Sequence, residues 1–320
     1  MAVDLFEQSQ QRRRQEDPGE AARIDRIAEA RRDLLEPLER DGFVLLTKRF
    51  QTAAARLLAR VETFCAEGRP LMPPVDLAAS RGGVDYRLAP RLSAEDLGRG
   101  IEFLRRRTSA VNVLEPLLCC PEIAAIAFDD EILDLAGAYL GCPALLGFIK
   151  LTRSFANDFM PFDTEEFHVD GNATRILKAF IHLHETDAEH GAHVYVRGSH
   201  REPLEGWDVS ARATEKMIVE RYGRERIVVQ SADVGDVLLE DTSGFHRRGK
   251  ARSGDRTLLI LNYVAHEEYG GGGLRSRITR ASFAACSARA KRAARLLEIT
   301  DDCPTFDSDR VAVASPEERF

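Results

Sequence analysis

The segment EEFHVDGN places His168 and Asp170 two residues apart. In an extended chain, residues i and i+2 project to the same face, so an imidazole and a carboxylate would stand side by side. Gly171 follows and lets the backbone turn away. A second segment, GDVLLEDTSGFHRRG, carries His246 beyond a Gly235-Asp236 turn and a short apolar run from Val237 to Glu240. Two imidazoles and one carboxylate form the facial donor set of an iron(II) site, which leaves three octahedral positions open. Those positions suit a bidentate keto acid and O2. Ten residues beyond His246 stands Arg256, after Gly249, Ser253 and Gly254, residues that suit a loop between adjacent strands. A guanidinium there can clamp a carboxylate with two parallel hydrogen bonds, which the far end of 2-oxoglutarate requires.

Each piece taken alone has an ordinary explanation. His-x-Asp pairs arise by chance, a single histidine is more often a core or surface residue, and a single arginine is usually solvated. The ordered succession of all three pieces carries the reading.

These residues need strands to position them, and the second half of the chain supplies strand patterns. Ala144 to Ser154, Ile176 to His184, Ala192 to Val196, Ile227 to Gln230, Val237 to Glu240 and Thr257 to Val264 are apolar runs separated by turn residues. The first half reads as mostly helical. AARIDRIAEARRDLLEPLER has helical spacing after a frayed, charged start, and ends before Asp41-Gly42. A short strand is expected over Phe43 to Leu46, a helix over Gln51 to Ala66, and helices broken at Pro116 and Pro121 from Ile101 to Leu140. The Pro- and Gly-rich stretch from Pro70 to Pro90 predicts a long loop, a candidate lid. The tail from Ser282 to Glu298 reads as helical. Helices followed by closely spaced strands predict a double-sheet β barrel flanked by helices, a mainly β fold. No composition shift marks a boundary, so residues 1–320 are read as one domain. It comprises a charged helical leader over 1–40, a strand core over about 144–265 and a helical tail.

The bulk properties narrow the function classes. The 320 residues are 44% hydrophobic, enough for a large core, and the formal net charge is −7. That balance argues against a general nucleic-acid binder. The N-terminus has no apolar signal region, and no window approaches a membrane span, so a soluble cytoplasmic protein is expected. The six cysteines include no Cys-x-x-Cys pair and read as free thiols of a reducing compartment.

A rival metal cluster is His182, His184, Glu189, His190 and His193, since His182 and His184 would share a strand face. Its spacing resembles that of cupins, but the glycine expected before such a pair is replaced by Ile176. The bland reading is a polar strand leading into an acidic turn. A third possibility is an inactive barrel serving as a binding module. The run Arg105-Arg106-Arg107 reads as a solvated helix face. Arg153, Arg175 and Arg197 lie near the metal motifs in sequence, and Arg175 is the candidate for an anionic substrate group.

The succession of motifs resembles the phytanoyl-CoA dioxygenase-like branch of the iron(II)/2-oxoglutarate oxygenases, over roughly Leu38 to Val264. The matching pieces are LERDGFVLL, FHVDGN, HGAHVYVRGSHR and GDVLLEDTSGFHRRGKARSGDR. Arg197 stands where the family's Gly-Ser-His turn usually has proline. The resemblance implies a double-stranded β-helix (jelly-roll) core, with iron(II) on His168, Asp170 and His246. It implies 2-oxoglutarate and O2 as cosubstrates, and hydroxylation of a small molecule with release of succinate and CO2. It also implies a polar residue on the strand before His-x-Asp that holds 2-oxoglutarate; Lys150 and Thr152 in GFIKLTRS are the candidates. Halogenating relatives replace the metal-binding carboxylate with a small residue, so Asp170 points to oxygenation. The resemblance leaves the substrate and the oligomeric state open.

Overall fold

The computed structural model describes residues 2–67, 71–72, 101–106, 109–113, 115–157, 165–170, 175–204, 206–208, 211–266 and 276–301. Gly171 and nearly all of the stretch from Pro70 to Pro90 lie outside them. The described strands are β1 (Phe43–Leu46), β2 (Leu71–Met72), β3 (Ala110–Val113), β4 (Leu145–Ser154), β5 (Leu177–His182) and β6 (His193–Val196). They continue with β7 (Ile227–Gln230), β8 (Val237–Asp241), β9 (His246–Arg248), β10 (Arg256–Val264), β11 (Arg277–Thr279) and β12 (Glu298–Thr300). Seven form one sheet in the order β1-β8-β5-β10-β4-β3-β2, and three form a second in the order β7-β6-β9. All pairings in both sheets are antiparallel. β11 and β12 make a separate parallel pair.

The two sheets face each other. Phe180 on β5 meets the His193 ring on β6 with centroids 4.6 Å apart, and Phe43 on β1 meets Tyr195 on β6 at 5.6 Å. The outer face of the large sheet packs on helices through Leu57, Ile126, Tyr139, Ile181, Leu239 and Leu259, all nearly fully buried. Period-2 alternation therefore gives β5, β8 and β10 one helix-facing side and one side turned to the small sheet.

Most strand expectations match within one or two residues. Other parts of the chain differ, including the tail, where strand β12 begins at Glu298. The charged start is a helix, Ala2–Glu16, and not a frayed end. Phe6 packs against the core, and polar contacts dock the rest: Arg13 Nε donates to the Pro143 carbonyl at 2.7 Å, and Gln10 Nε2 to the Leu140 carbonyl at 2.8 Å. The segment from Ile101 to Leu140 contains β3 between its helices. Arg105 is not part of a solvated face; it pairs with Asp255 at the start of β10.

The Asp41-Gly42 turn is set by local chemistry. Gly42 caps the helix Arg32–Asp41 with φ 92°, and its amide donates to the Leu38 carbonyl. A Cβ on Gly42 would lie 2.3 Å from the Tyr195 hydroxyl oxygen, which itself donates to the Asp241 carbonyl at 2.8 Å. Gly42→Ala combines a left-handed backbone with that clash and should destabilise the fold by about 2 kcal/mol or more. Urea denaturation of the two proteins checks this.

Charged side chains tie the two ends of the described chain together. Asp134 accepts from Arg23 Nε at 2.9 Å and from Arg289 Nη2 at 2.6 Å. Burial alone would raise the Asp134 pKa, but the two guanidinium groups override it and hold the carboxyl below its ordinary value. A depressed folded pKa contributes stability that is present above the unfolded value, near 3.9, and is lost as pH falls through the folded one. Asp134→Asn should therefore cost stability at pH 6, and the gap to the parent should narrow as pH drops from about 4 to about 2. Denaturation midpoints across that range measure it.

Candidate metal centre

β9 begins at His246, and the segment Glu165 to Asp170 runs beside it in extended form. His168 N donates to the His246 carbonyl at 3.0 Å, and His246 N returns a bond to the His168 carbonyl at 2.9 Å. That exchange is the hydrogen-bonded pair of an antiparallel ladder. A Phe167–Ala213 bridge and a 2.7 Å bond from Asp170 N to the Thr242 carbonyl hold the segment on either side. His168 and Asp170 thus sit in extended backbone as their spacing predicts, though in a bridged segment and not in a named strand.

The potential ligand atoms of His168, Asp170 and His246 all lie within 4.8 Å of one another. The imidazole centroids are 4.3 Å apart, and His246 Nε2 is 3.2 Å from Asp170 Oδ2. Each histidine uses its other nitrogen on the backbone: His168 Nδ1 bonds the Glu166 carbonyl and His246 Nδ1 the Gly244 carbonyl, both at 2.9 Å. A carbonyl only accepts, so both Nδ1 atoms carry hydrogen, and in the neutral imidazole each Nε2 keeps a lone pair. This is the tautomer that a metal-binding imidazole needs, oriented by its second nitrogen. Burial holds His168 well below the ordinary imidazole pKa. Burial also pulls His246 down, but the Asp170 carboxylate overrides it and raises the net value. Asp170 is held low, against burial, by Lys178 and the histidines. The donor set fits a divalent transition-metal ion.

Register places the remaining candidates. Thr152 faces Leu258 and Lys150 faces Ile260 across the β4–β10 pair, while Leu258 and Ile260 face His182 and Phe180 of β5. Directly paired residues share a sheet face, so Lys150 and Thr152 lie on the side turned to the small sheet. The Thr152 hydroxyl donates to Asn112 Oδ1 at 2.7 Å. Arg256 opens β10 on the same face, opposite Ser154, and is 4% exposed. It bonds the Gly191 carbonyl through Nη1, and no salt bridge to it occurs among the described residues. Burial, with Arg248 close by, pulls its pKa below the ordinary guanidinium value. A buried guanidinium without a carboxylate is a standing demand for an anion. His193 lies between this group and the triad: it stacks on His246 with centroids 5.4 Å apart and senses the charge of Arg256.

Arg175 is placed elsewhere. It donates to the Tyr139 carbonyl at 3.0 Å and its guanidinium lies 5.1 Å from the Tyr139 ring centroid. Tyr139 belongs to the helix-packed core, so the structure does not bring Arg175 to the triad. The rival histidine cluster is also divided. β5 ends at His182, whose Nδ1 meets the Thr186 hydroxyl at 2.8 Å. His184 falls beside the charges of Arg153, Glu62 and Asp255 instead. His190 bonds Asp187, and His200 donates to the Glu39 carbonyl.

Three polar groups near the triad escaped the sequence reading. Lys178 on β5 pairs with Asp170 Oδ2. Glu240 on β8 is fully buried and shares a 2.9 Å hydrogen bond with His193 Nε2; burial pushes its carboxyl up to about 8. Glu240 and His193 also come within 4.8 Å of a His246 nitrogen, a second grouping of metal-capable atoms. Arg248 on β9 bonds Glu165 at 2.5 Å and Ser154 at 3.0 Å. A charge inside an otherwise apolar strand run, as in ILKAFIH and VLLED, was the available signal.

Two facing antiparallel sheets with this site between them define the class of fold, and solved structures of the same class exist. The non-haem alpha-ketoglutarate-dependent epimerase SnoN from nogalamycin biosynthesis aligns with TM-score 0.50 and 18% identity, over 74% of this chain and 83% of its own. A complex of SnoN with Fe3+, alpha ketoglutarate and nogalamycin RO aligns with TM-score 0.50 and 19% identity, over 76% and 84%. The alpha-ketoglutarate-dependent carbocyclase SnoK of the same biosynthesis gives TM-score 0.51 and 16% identity, over 72% and 83%. The chain is similar to these enzymes in fold. No protein-family model and no curated protein sequence matches it. Among the described residues no helix is long and apolar enough to cross a membrane.

Proposed function

We propose that this chain is an iron(II)/2-oxoglutarate-dependent oxygenase with a single jelly-roll domain, acting on a small-molecule metabolite by hydroxylation. The observation that carries the reading is the triad. His168, Asp170 and His246 converge on one point, with both Nδ1 atoms tied to backbone carbonyls so that each neutral imidazole offers Nε2. The fold shared with SnoN and SnoK supports it.

The three side chains would hold the ion and leave three neighbouring positions open. Arg256, buried without an ion-pair partner among the described residues, would receive the far carboxylate of 2-oxoglutarate. Lys150 and Thr152, on the same sheet face, are the further candidates to hold it. Bound iron would supply O2 activation coupled to decarboxylation of 2-oxoglutarate, releasing succinate and CO2. The residues of this chain contribute orientation and exclusion of water. Phe180, Leu238 and Leu258 form an apolar floor between the sheets, and a dry floor strengthens the pairing of Arg256 with an anion.

The test is succinate formation by the full chain supplied with iron(II), 2-oxoglutarate and O2 and no added substrate. Slow uncoupled succinate release, absent in His168→Ala, is the expected result. A protein that binds iron and 2-oxoglutarate yet releases no succinate would overturn the enzyme reading in favour of a binding module.

A further inference from the structure

Lys178 holds the very oxygen of Asp170 that a metal would need. Asp170 Oδ2 lies 3.2 Å from His246 Nε2. Two neighbouring ligand atoms, each about 2.1 Å from one octahedral ion, stand about 3 Å apart. Oδ2 is therefore the donor atom turned to the metal position. The Lys178 ammonium bonds this same Oδ2, and its charge lies 5.4 Å from the Phe148 ring centroid. An ammonium and a divalent cation on one carboxylate oxygen repel each other, and a partly buried site screens that repulsion less than water does.

The sheet offers the ammonium another place. Lys178 is paired in register with Glu240 of β8 on one side and with Asn262 of β10 on the other. Directly opposed side chains have Cβ atoms roughly 5 Å apart, within reach of a lysine's four-carbon stem. Glu240 is 0% and Asn262 2% exposed. Glu240 Oε2 and Asn262 Oδ1 find no hydrogen-bond partner among the described residues. The other Glu240 oxygen is fixed by His193 at 2.9 Å, so the carboxyl group is held in place beside Lys178.

We propose that Lys178 is a resident stand-in cation. It neutralises Asp170 while the metal is absent, and it moves to the orphaned acceptors Glu240 Oε2 and Asn262 Oδ1 when a metal takes the carboxylate. Lys178 is then a positioning residue that sets metal affinity: uptake must displace an ammonium, and Glu240 offsets part of that cost by receiving it. The inference rests on the proposed triad.

Calorimetric titration with cobalt(II) alone, on the full chain and its Lys178→Met, Glu240→Gln and double variants, tests the exchange. Lys178→Met should bind cobalt(II) about tenfold or more tighter, a change of the size that outer partners of metal ligands produce. Glu240→Gln should weaken binding about tenfold in the parent and leave it unchanged in the Lys178→Met background. Equal or weaker binding by Lys178→Met overturns the proposal. An equal loss from Glu240→Gln in both backgrounds also overturns it, because Glu240 would then act on the metal by its field and not by receiving the ammonium. If circular dichroism shows Lys178→Met unfolded, Lys178→Gln carries the same expectation. A parent that takes up no cobalt(II) sinks the triad itself, whereas a parent that binds while Lys178→Met is no tighter sinks only the exchange.

Discussion

Asp170→Ala will lose more than about a hundredfold in cobalt(II) affinity, beyond the 10- to 100-fold typical of an outer-shell loss, and will form no succinate from 2-oxoglutarate. The variant removes one of three protein ligands, and with it the ion-pair partner of Lys178. Its fold should survive, because Asp170 contributes to the ladder through its backbone amide and not its side chain. Near-parental circular dichroism, metal titration and succinate release together check the result. Retained iron binding would move the metal to the second grouping, His193, Glu240 and His246. Full activity in the variant would refute the site assignment altogether.

Arg256→Ala will separate the cosubstrate from the metal. Truncating one partner of a buried charge pair costs about 2–5 kcal/mol. At about 1.4 kcal/mol per factor of ten, 3 kcal/mol raises the apparent Kd for 2-oxoglutarate roughly a hundredfold. Cobalt(II) affinity should change little, since Arg256 touches none of the three ligands. The guanidinium bonds the Gly191 carbonyl in this structure, and a carboxylate entering between the sheets gives it an ionic partner in place of a neutral one. Equal 2-oxoglutarate affinity in variant and parent would refute the role.

The metal motif was legible because its spacing is a local property. His-x-Asp needs only extended backbone to bring two side chains to one face, and the Gly235-Asp236 turn announces the strand that precedes His246. The sheets were legible for the same reason, since apolar runs bounded by turns survive any arrangement of the strands. What depends on pairing was not. The β5–β8 and β5–β10 registers put Glu240 and Asn262 beside Lys178, and nothing in ILKAFIH names those neighbours. Arg175 shows the converse: closeness in sequence to His168 and Asp170 did not carry it to the same side of the sheet, and Tyr139 claims it instead. Within the charged helical leader, the start read as frayed because the helix Ala2–Glu16 has no apolar stripe: it docks through Phe6, Gln10 and Arg13. The strand β9, three residues long, has too few residues to show a period.

The reciprocal backbone bonds between His168 and His246 bear on how such a site can be altered. The distance between the two imidazoles is inherited from the peptide ladder, not from the packing of side chains around them. Mutations that loosen the neighbouring core can soften the protein without separating the ligands. A single residue inserted between Thr242 and His246 would do the opposite, slipping the ladder by one and turning the His246 imidazole to the far face of its sheet. Length in that short turn is therefore constrained, as is composition at Gly244, where a Cβ would lie 2.1 Å from the Tyr195 hydroxyl oxygen. The loop from Gly249 to Asp255, on the other side of the same strand, is fixed as well, by the Ala251–His190 bridge at its middle and by the pairing of Asp255 with Arg105 at its end.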